Sequence, residues 1–399
     1  MGEKCVCFFI RHFGGLNENY IVFKNRQQQD FTDNARALFE YLYENGYSKK
    51  YKLIWLVSSK KSIDKKTYKN VIVATAENKY GWTSPRAFYY GNTAKYFFYT
   101  NNTANLNRGA AKGQLVVNLW HGCGYKDSTH KNKKIQYSSS MEMFDYALVP
   151  GELFVEAKAR YWECDQSKIL GIGYPRYDWL LQKNLDKRTI IGKLFGADME
   201  GRRLILWMPT FRKTSSESGF DEGDIGLKYG IPVACDDGCL EELDRICEET
   251  GSLLVIKRHP LQAKENDGQK FKNIKFADNK LLDKRNVLLY HFIAVSDALI
   301  SDYSSVAVDY LLLDRPIGFA VGDIEQYREK RGFIFDNPLE YMPGQIIYTF
   351  EDLKTFIMDV CQGIDRYREA RHKLMPVMHN KCDNYCERII KNLGIKKER

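Results

Sequence analysis

The chain has 399 residues, of which 44% are hydrophobic, and its 60 Lys and Arg against 51 Asp and Glu give a net charge of +9. This length predicts two domains rather than one core. No apolar run approaches the roughly 20 residues that a membrane-spanning helix needs. The ten cysteines show no paired spacing of the kind that forms a zinc ribbon, which argues against a structural zinc site.

Strands and helices alternate along the first half of the chain. Residues 5–10 predict a first strand, and residues 33–45 predict an amphipathic helix, because their apolar side chains recur with a helical period. Further apolar runs predict strands at residues 51–57, 71–74, 95–99, 114–120, 145–149 and 169–171. A polar helical stretch at residues 181–195 then separates this series from a second one.

The second series predicts strands at residues 203–208, 253–257, 298–300 and 317–321. A helix at residues 307–313 joins the last two of them into a βαβ unit. Alternation of this kind implies two doubly wound parallel sheets, so the predicted fold class is α/β. We place the division between the two domains in the polar helical stretch, which gives domains of residues 1–185 and 186–399.

Two adjacent serines, Ser304 and Ser305, lie where the predicted strand 298–300 ends and a helix begins. Backbone N–H groups are unpaired at a helix N-terminus, and the helix dipole favours an anion there. The hydroxyls add donors, so the pattern predicts a phosphate-sized site. Serine is also a favoured N-cap residue, and both interpretations, an anion site and a plain cap, stay open.

Two of the seven histidines directly follow predicted strands. His121 precedes Gly122, which lets the backbone approach a substrate closely, and His259 precedes a proline that fixes the turn. Ligands bind outside the carboxyl ends of strands in open α/β sheets, so we expect both histidines to face the cleft between the domains. Either one alone fits a structural role as well. Thr210 and Arg212 leave another strand end and offer a hydroxyl and a guanidinium for phosphate.

The ordered set of strand-end segments resembles the CDP-glycerol glycerophosphotransferases, which are teichoic-acid primases and polymerases and related capsule enzymes. The resemblance covers most of the chain, and its segments are Trp120-His121-Gly122, Met208-Pro209-Thr210-Phe211-Arg212, Arg258-His259-Pro260, Ser301-Asp302-Tyr303-Ser304-Ser305-Val306 with Asp309-Tyr310, Arg315-Pro316, and Arg331-Gly332-Phe333 followed by Pro343-Gly344. It implies a GT-B fold, with two Rossmann-like domains facing across a cleft. The first domain is then the acceptor side, and the second binds the CDP donor.

The resemblance also implies the chemistry. An acceptor hydroxyl attacks the distal phosphorus of a CDP-polyol, and CMP leaves, with His121 as the candidate general base. The other candidate catalytic residues are His259, Arg331 and Asp302. The candidate donor-binding residues are Gly122, Thr210, Arg212, Ser304, Ser305 and Asp309, the last of which reaches a ribose or makes a plain helix contact. No cofactor is required, and no metal site is predicted, because no Asp-x-Asp pair occurs.

Partners and location follow from the same resemblance. It implies a peripheral enzyme at the cytoplasmic face of a bacterial membrane, with a lipid-linked glycan or polyol-phosphate acceptor. The basic excess suits an anionic membrane surface, and no nucleic-acid-binding pattern appears. The segment Cys123-Gly124-Tyr125 departs from the Thr-Pro-Leu that the family usually shows. We expect this loop on the acceptor side, so the acceptor stays open.

Three alternatives stay open at this point. The first is a CDP-ribitol donor. The second is a GT-B glycosyltransferase that uses a nucleotide sugar, since a fold does not determine a function. The third is a non-catalytic binding protein for anionic glycopolymers, which the lysine clusters of the first half would permit.

Overall fold

The computed structural model describes residues 15–25, 31–58, 63–64, 66–76, 84–101, 103, 106–107, 110–127, 144–210, 232–234, 236–257 and 271–398. The chain forms two compact units. Unit 1 comprises residues 1–121, 134–178 and 379–399, and unit 2 comprises residues 122–133 and 179–378. Compared with the predicted division at residues 185 and 186, segment 122–133 groups with unit 2 and the last segment groups with unit 1.

Unit 1 contains a sheet of seven parallel strands, with the spatial order β3-β2-β1-β4-β5-β6-β7. In chain order the strands are β1 (Asn17–Lys24), β2 (Lys52–Val57), β3 (Ile72–Thr75), β4 (Ala94–Tyr99), β5 (Leu115–Asn118), β6 (Tyr146–Leu148) and β7 (Ile169–Leu170). Its helices are Asp33–Glu44, Pro85–Thr93, Val155–Trp162 and Tyr385–Asn392, and the short helix Tyr177–Leu180 spans the boundary between the two units. Six of the strands confirm predictions, whereas β1 was not predicted and the predicted strand at residues 5–10 lies outside the described residues.

The last helix is fixed to unit 1 at its N-terminus. The carboxylate of Asp178 accepts hydrogen bonds from the backbone N–H groups of Tyr385, at 2.6 Å, and Cys386, at 2.9 Å. Gly173 has a φ of 85°, and a Cβ there would lie 2.3 Å from Cε1 of Tyr385. Gly173 therefore leaves room for this ring.

Unit 2 contains a sheet of six parallel strands, with the spatial order β10-β9-β8-β11-β12-β13. In chain order they are β8 (Arg203–Trp207), β9 (Ser252–Lys257), β10 (Ile274–Ala277), β11 (Ala298–Ser301), β12 (Ile317–Ala320) and β13 (Gln345–Ile347). The helices are Lys187–Phe195, Asp237–Thr250, Asn279–Lys284, Leu289–Ala294, Ser305–Tyr310, Ile324–Lys330, Phe350–Gln362 and Arg368–Met378. The helix predicted at residues 181–195 begins only at Lys187, where Asp186 caps it by accepting the Thr189 N–H.

Each sheet has one point at which the strand order reverses. In unit 1 the chain runs outward from β1 to β3 and returns to the other side of β1 with β4. In unit 2 the same reversal separates β8 from β11. Ligands bind at the carboxyl ends of strands beside such switch points, so the residues that follow β1 and β4, and those that follow β8 and β11, mark the places to search for a site.

Candidate functional site

The switch point of unit 2 is closed by a pair of buried side chains. Thr210, which follows β8, donates its backbone N–H to Asp302 Oδ2 at 2.9 Å and its hydroxyl to Asp302 Oδ1 at 2.6 Å. Asp302 follows β11, and both residues are almost fully buried. The carboxylate therefore joins the ends of two adjacent strands and fixes the orientation of Thr210.

The two serines predicted to bind an anion follow Asp302 directly. Ser304 occupies the N-cap position of the helix Ser305–Tyr310, with φ −77° and ψ 145°, yet its side chain makes no capping hydrogen bond. Both serines are partly exposed. The plain-cap alternative for Ser304 thus lacks the hydrogen bond that defines it, and this favours the anion interpretation.

The turn that carries the serines is fixed from below by Tyr303. The Tyr303 ring is fully buried, with its centroid 4.2 Å from that of Tyr327, and its hydroxyl donates to Asp323 Oδ1 at 3.0 Å. We refer to residues 301–305 as the serine turn. Its backbone is set by aromatic packing and two carboxylates, so the serine hydroxyls are presented by a rigid support.

A further support comes from the segment after His121. A Cβ on Gly124 would lie 2.8 Å from the backbone nitrogen of Ser305 and 3.0 Å from its Cα. Only glycine fits this close backbone approach. The loop 123–125 was expected on the acceptor side, in the first domain; the structure instead groups it with unit 2, in contact with the serine turn, because residue 124 has no side chain to keep the two backbones apart.

The same segment pairs with the turn that follows Arg331. The Asp127 N–H donates to the Gly332 carbonyl at 3.1 Å, and the Ile334 N–H donates to the Tyr125 carbonyl at 2.9 Å. The Tyr125 hydroxyl donates to the Tyr341 carbonyl at 2.8 Å, and its ring is fully buried. Residues 122–127 therefore contact both the serine turn and the neighbours of the candidate residue Arg331.

Two predicted residues of unit 2 are held differently. Asp309 is fully buried and accepts a hydrogen bond from the Tyr290 hydroxyl, which favours the helix contact over a ribose contact. Arg331 directly follows the helix Ile324–Lys330 and is partly buried.

Arg212 and His259 lie outside the described residues, so their predicted roles stay predictions. Within the part of the chain that the structure describes, no group of three or more His, Cys, Asp or Glu could hold a metal ion.

His121 lies just beyond the end of β5, the strand next to β4, whose end borders the switch point of unit 1. Its Nδ1 is 3.3 Å from the carbonyl oxygen of Thr100, and Thr100 follows β4. The Thr100 hydroxyl in turn donates to the side-chain oxygen of Asn25, which follows β1. The imidazole therefore belongs to the carboxyl edge of the sheet, as the sequence predicted.

The backbone before His121 is strained and held by side chains. Trp120 has a φ of 48°, a conformation that costs free energy for a bulky residue. Its N–H donates to Asn118 Oδ1 at 2.9 Å, and its carbonyl accepts from Asn34 Nδ2 at 2.8 Å. Because these groups hold both polar atoms of the peptide backbone at Trp120, they orient the residue that follows it.

A buried arginine completes this network. Arg176 donates from the same nitrogen to the His121 carbonyl at 2.9 Å and to Asp33 Oδ1 at 2.8 Å. Its backbone N–H donates to Asn34 Oδ1 at 3.2 Å. Arg176 and Asn34 were not predicted as site residues, because nothing in the sequence near either residue indicates a partner so distant in the chain.

The surroundings keep His121 neutral. Burial by neighbouring protein atoms lowers the pKa of His121 from 6.5 to about 4, while the Asp33 carboxylate acts in the opposite direction. Solvent still reaches the side chain, so hydration offsets part of this lowering. In either case the imidazole is uncharged at pH 7 and has a free electron pair with which to accept a proton.

Comparison with known proteins identifies the family to which the chain belongs. The model of the family described as CDP-glycerol:poly(glycerophosphate) glycerophosphotransferase matches residues 6–393. The chain belongs to this family. It is therefore an enzyme of the glycerophosphotransferase class, as the resemblance implied, and its two parallel sheets confirm the predicted Rossmann-like α/β units.

The names of individual relatives refer either to glycerol phosphate or to ribitol phosphate. The chain is 31% identical over 350 residues to the teichoic acid poly(glycerol phosphate) polymerase of Bacillus spizizenii strain W23, which covers 84% of this chain and 82% of that protein. It is 28% identical to the teichoic acid ribitol-phosphate primase of the same strain, over 62% of this chain and 61% of that protein. The solved structure of the wall teichoic acid polymerase TagF has a similar fold, with a TM-score of 0.69, 21% identity and coverage of 95% and 89%.

The first prediction concerns the contact between Gly124 and the serine turn. We expect Gly124→Ala to lower stability by about 1–3 kcal/mol, the usual cost of overpacking, because the atoms that meet the new methyl group belong to backbone. Gly201→Ala is the control, since nothing lies within 4 Å of a Cβ at that position. Thermal unfolding of both variants checks this, and equal melting temperatures would contradict the contact.

Proposed function

We propose that this enzyme transfers glycerol phosphate from CDP-glycerol to a hydroxyl group of a lipid-linked, teichoic-acid-type acceptor and releases CMP. The observation that carries the proposal is the Thr210–Asp302 pair with Ser304 and Ser305 at the switch point of unit 2. Hydroxyl donors on a rigid support suit a diphosphate. Family membership supplies the reaction class, and the broader match to a glycerol phosphate polymerase favours glycerol over ribitol.

His121 is the proposed base. The acceptor oxygen attacks the distal phosphorus of the donor while the neutral imidazole takes the hydroxyl proton. The bond between that phosphorus and the bridging oxygen breaks, and CMP leaves with the electron pair. The backbone contacts from Arg176 and Asn34 support this role, because a general base must be held in a fixed direction.

The donor phosphates are the proposed ligands of the hydroxyl groups of Ser304 and Ser305. Thr210 supports this site, because its hydroxyl donates its one proton to Asp302. Arg331 supplies the positive charge that offsets the charge developing on the leaving CMP. His259 and Arg212 are proposed for the same task, from the resemblance alone. Asp302 acts on the donor indirectly, by fixing Thr210.

Ribitol phosphate is the second candidate for the transferred group, because the chain also resembles a ribitol-phosphate primase. We expect CMP release from CDP-glycerol to exceed that from CDP-ribitol, measured with a lipid-linked acceptor and mass spectrometry of the products.

Replacing Ser304 and Ser305 together by alanine should weaken donor binding about 10-fold or more, because hydrogen bonds to charged groups contribute about 1.5–3 kcal/mol each. Unchanged donor affinity in the folded double variant would show that the serines do not bind the donor. Release of UDP from UDP-sugars by the wild-type protein would show that the donor is a nucleotide sugar and not a CDP-polyol.

His121→Ala should lower turnover at least ~100-fold, the usual contribution of general base catalysis, while donor affinity measured by calorimetry changes little. The wild-type rate should fall as the pH drops through the pKa of His121, below 6.5, because the protonated imidazole cannot accept a proton. His372→Ala is the control, since this histidine is exposed and pairs with Asp314. Near-normal turnover in the His121 variant would exclude it as the base.

A membrane surface is the proposed meeting place with the acceptor. None of the described helices is both long and apolar enough to cross a bilayer. A lipid-linked acceptor lies at a membrane, so we propose contact through a basic surface, where each basic residue near an anionic membrane contributes about 1 kcal/mol. The lysines proposed to make this contact, Lys131, Lys133 and Lys134, lie outside the described residues.

We expect the protein to bind liposomes that contain anionic lipid and not neutral ones, with binding weakened by salt. Charge reversal at Lys131, Lys133 and Lys134 should reduce this binding more than reversal at Lys396 and Lys397, which serves as the control. Cosedimentation measures the bound fraction. Equal binding to neutral and anionic liposomes would reject the electrostatic contact in favour of an apolar one.

A further inference from the structure

Lys257 is a buried lysine at the end of a strand. It is the last residue of β9, and only 5% of its surface is exposed. Lysine is rarely buried without a partner, because moving a charge out of water costs several kcal/mol unless another group compensates it. A position of this kind calls for a reason beyond the packing of the strand.

The described surroundings of Lys257 compensate its charge only in part. Among the described residues its ammonium group makes no hydrogen bond or ion pair. Asp278 and Asp283 attract it through space, but burial has the larger effect and lowers the pKa of Lys257 to about 8. The Asp278 carboxylate already accepts the Leu281 N–H at 2.8 Å as the cap of its own helix.

The strand register places Lys257 on the same edge as the candidate donor groups. β9 lies next to β8, and β8 lies next to β11, so three adjacent parallel strands end together. Ile256 pairs with Trp207, and Lys257 is one residue further toward the carboxyl edge. The edge therefore carries an ammonium group, the Thr210 hydroxyl and the serine turn in order along neighbouring strands.

We propose that Lys257 binds the diphosphate of the nucleotide donor. This inference rests on the proposed function and adds a cationic residue to its donor site. An ammonium group is a compact point charge with three donors, and a low-dielectric environment strengthens its attraction to phosphate. The bound diphosphate adds to the partial compensation that Asp278 and Asp283 provide.

A structural role and a donor-binding role for Lys257 predict opposite effects of its replacement on stability. If Lys257 stabilised the fold, its replacement by methionine would lower the melting temperature. If it serves the donor, Lys257→Met removes a buried charge, so stability is kept or increased while donor affinity falls. The two roles thus separate in one variant.

The test compares wild type, Lys257→Met, Lys257→Gln and the control Lys275→Met, which changes a partly exposed lysine of the adjacent strand β10. Calorimetry measures binding of CDP-glycerol, CDP and cytidine, and thermal unfolding measures stability. Both Lys257 variants should bind CDP-glycerol and CDP about 10-fold to 100-fold more weakly, which matches the loss of a charged hydrogen bond. Cytidine affinity and melting temperature should not fall, and the control should resemble wild type.

Any other outcome overturns either the inference about Lys257 or the proposed function. Unchanged CDP affinity in folded Lys257 variants overturns the inference and leaves the proposed function intact. Loss of folding in both variants assigns Lys257 a structural role and likewise overturns it. Failure of the wild type to bind any CDP-polyol or CDP overturns the proposed function, and the inference with it.

Discussion

The hydrogen bonds between Thr210 and Asp302 are the contact on which the candidate site of unit 2 depends. They join two strands whose ends separate at the switch point, where a sheet of this topology leaves an opening. A buried carboxylate that accepts both an N–H and a hydroxyl is satisfied by these bonds. The serine turn begins at the same aspartate, so the position of its hydroxyls follows from the geometry of that pair.

In unit 1, a strained backbone at Trp120 fixes the position of the residue that follows it, His121. The left-handed backbone at Trp120 turns the chain sharply before His121, and amide side chains from Asn118 and Asn34 hold it there. Conformations of this kind persist only where the surroundings over-determine them. The histidine therefore gains a fixed backbone together with an exposed side chain, a combination that a flexible loop would not supply.

Much of the fold was predictable because parallel strands covered on both faces appear as continuous apolar runs. β2 and β9 are such runs and were predicted almost to their ends. β1 was not, because its first three residues, Asn17, Glu18 and Asn19, are polar and conceal the apolar half that follows. β10 and β13 were also missed: both are short strands at the edges of their sheet, where burial is incomplete.

The residues of the candidate site were likewise only partly predictable from the sequence. Residues that lie at strand ends, such as His121, Thr210 and Ser304, were selected as candidates because chain order alone reveals the end of a strand. Asn34, Arg176 and Gly124 were not selected, since each acts through a partner far away in the sequence. Lys257 looked like the last residue of a strand, and only its burial in the folded unit distinguishes it from an ordinary surface lysine.

The interleaved make-up of the two units has a consequence for how the chain is made. Unit 1 includes the helix Tyr385–Asn392, which Asp178 binds through its backbone N–H groups, so a ribosome must translate this helix before the unit can close. Unit 2 takes residues 122–133 from within the first half, and Gly124 in this segment emerges long before the serine turn that it contacts. Neither unit corresponds to a continuous stretch of messenger, so an expressed fragment cut between them would leave one unit without its last helix and the other without the support of its serine turn.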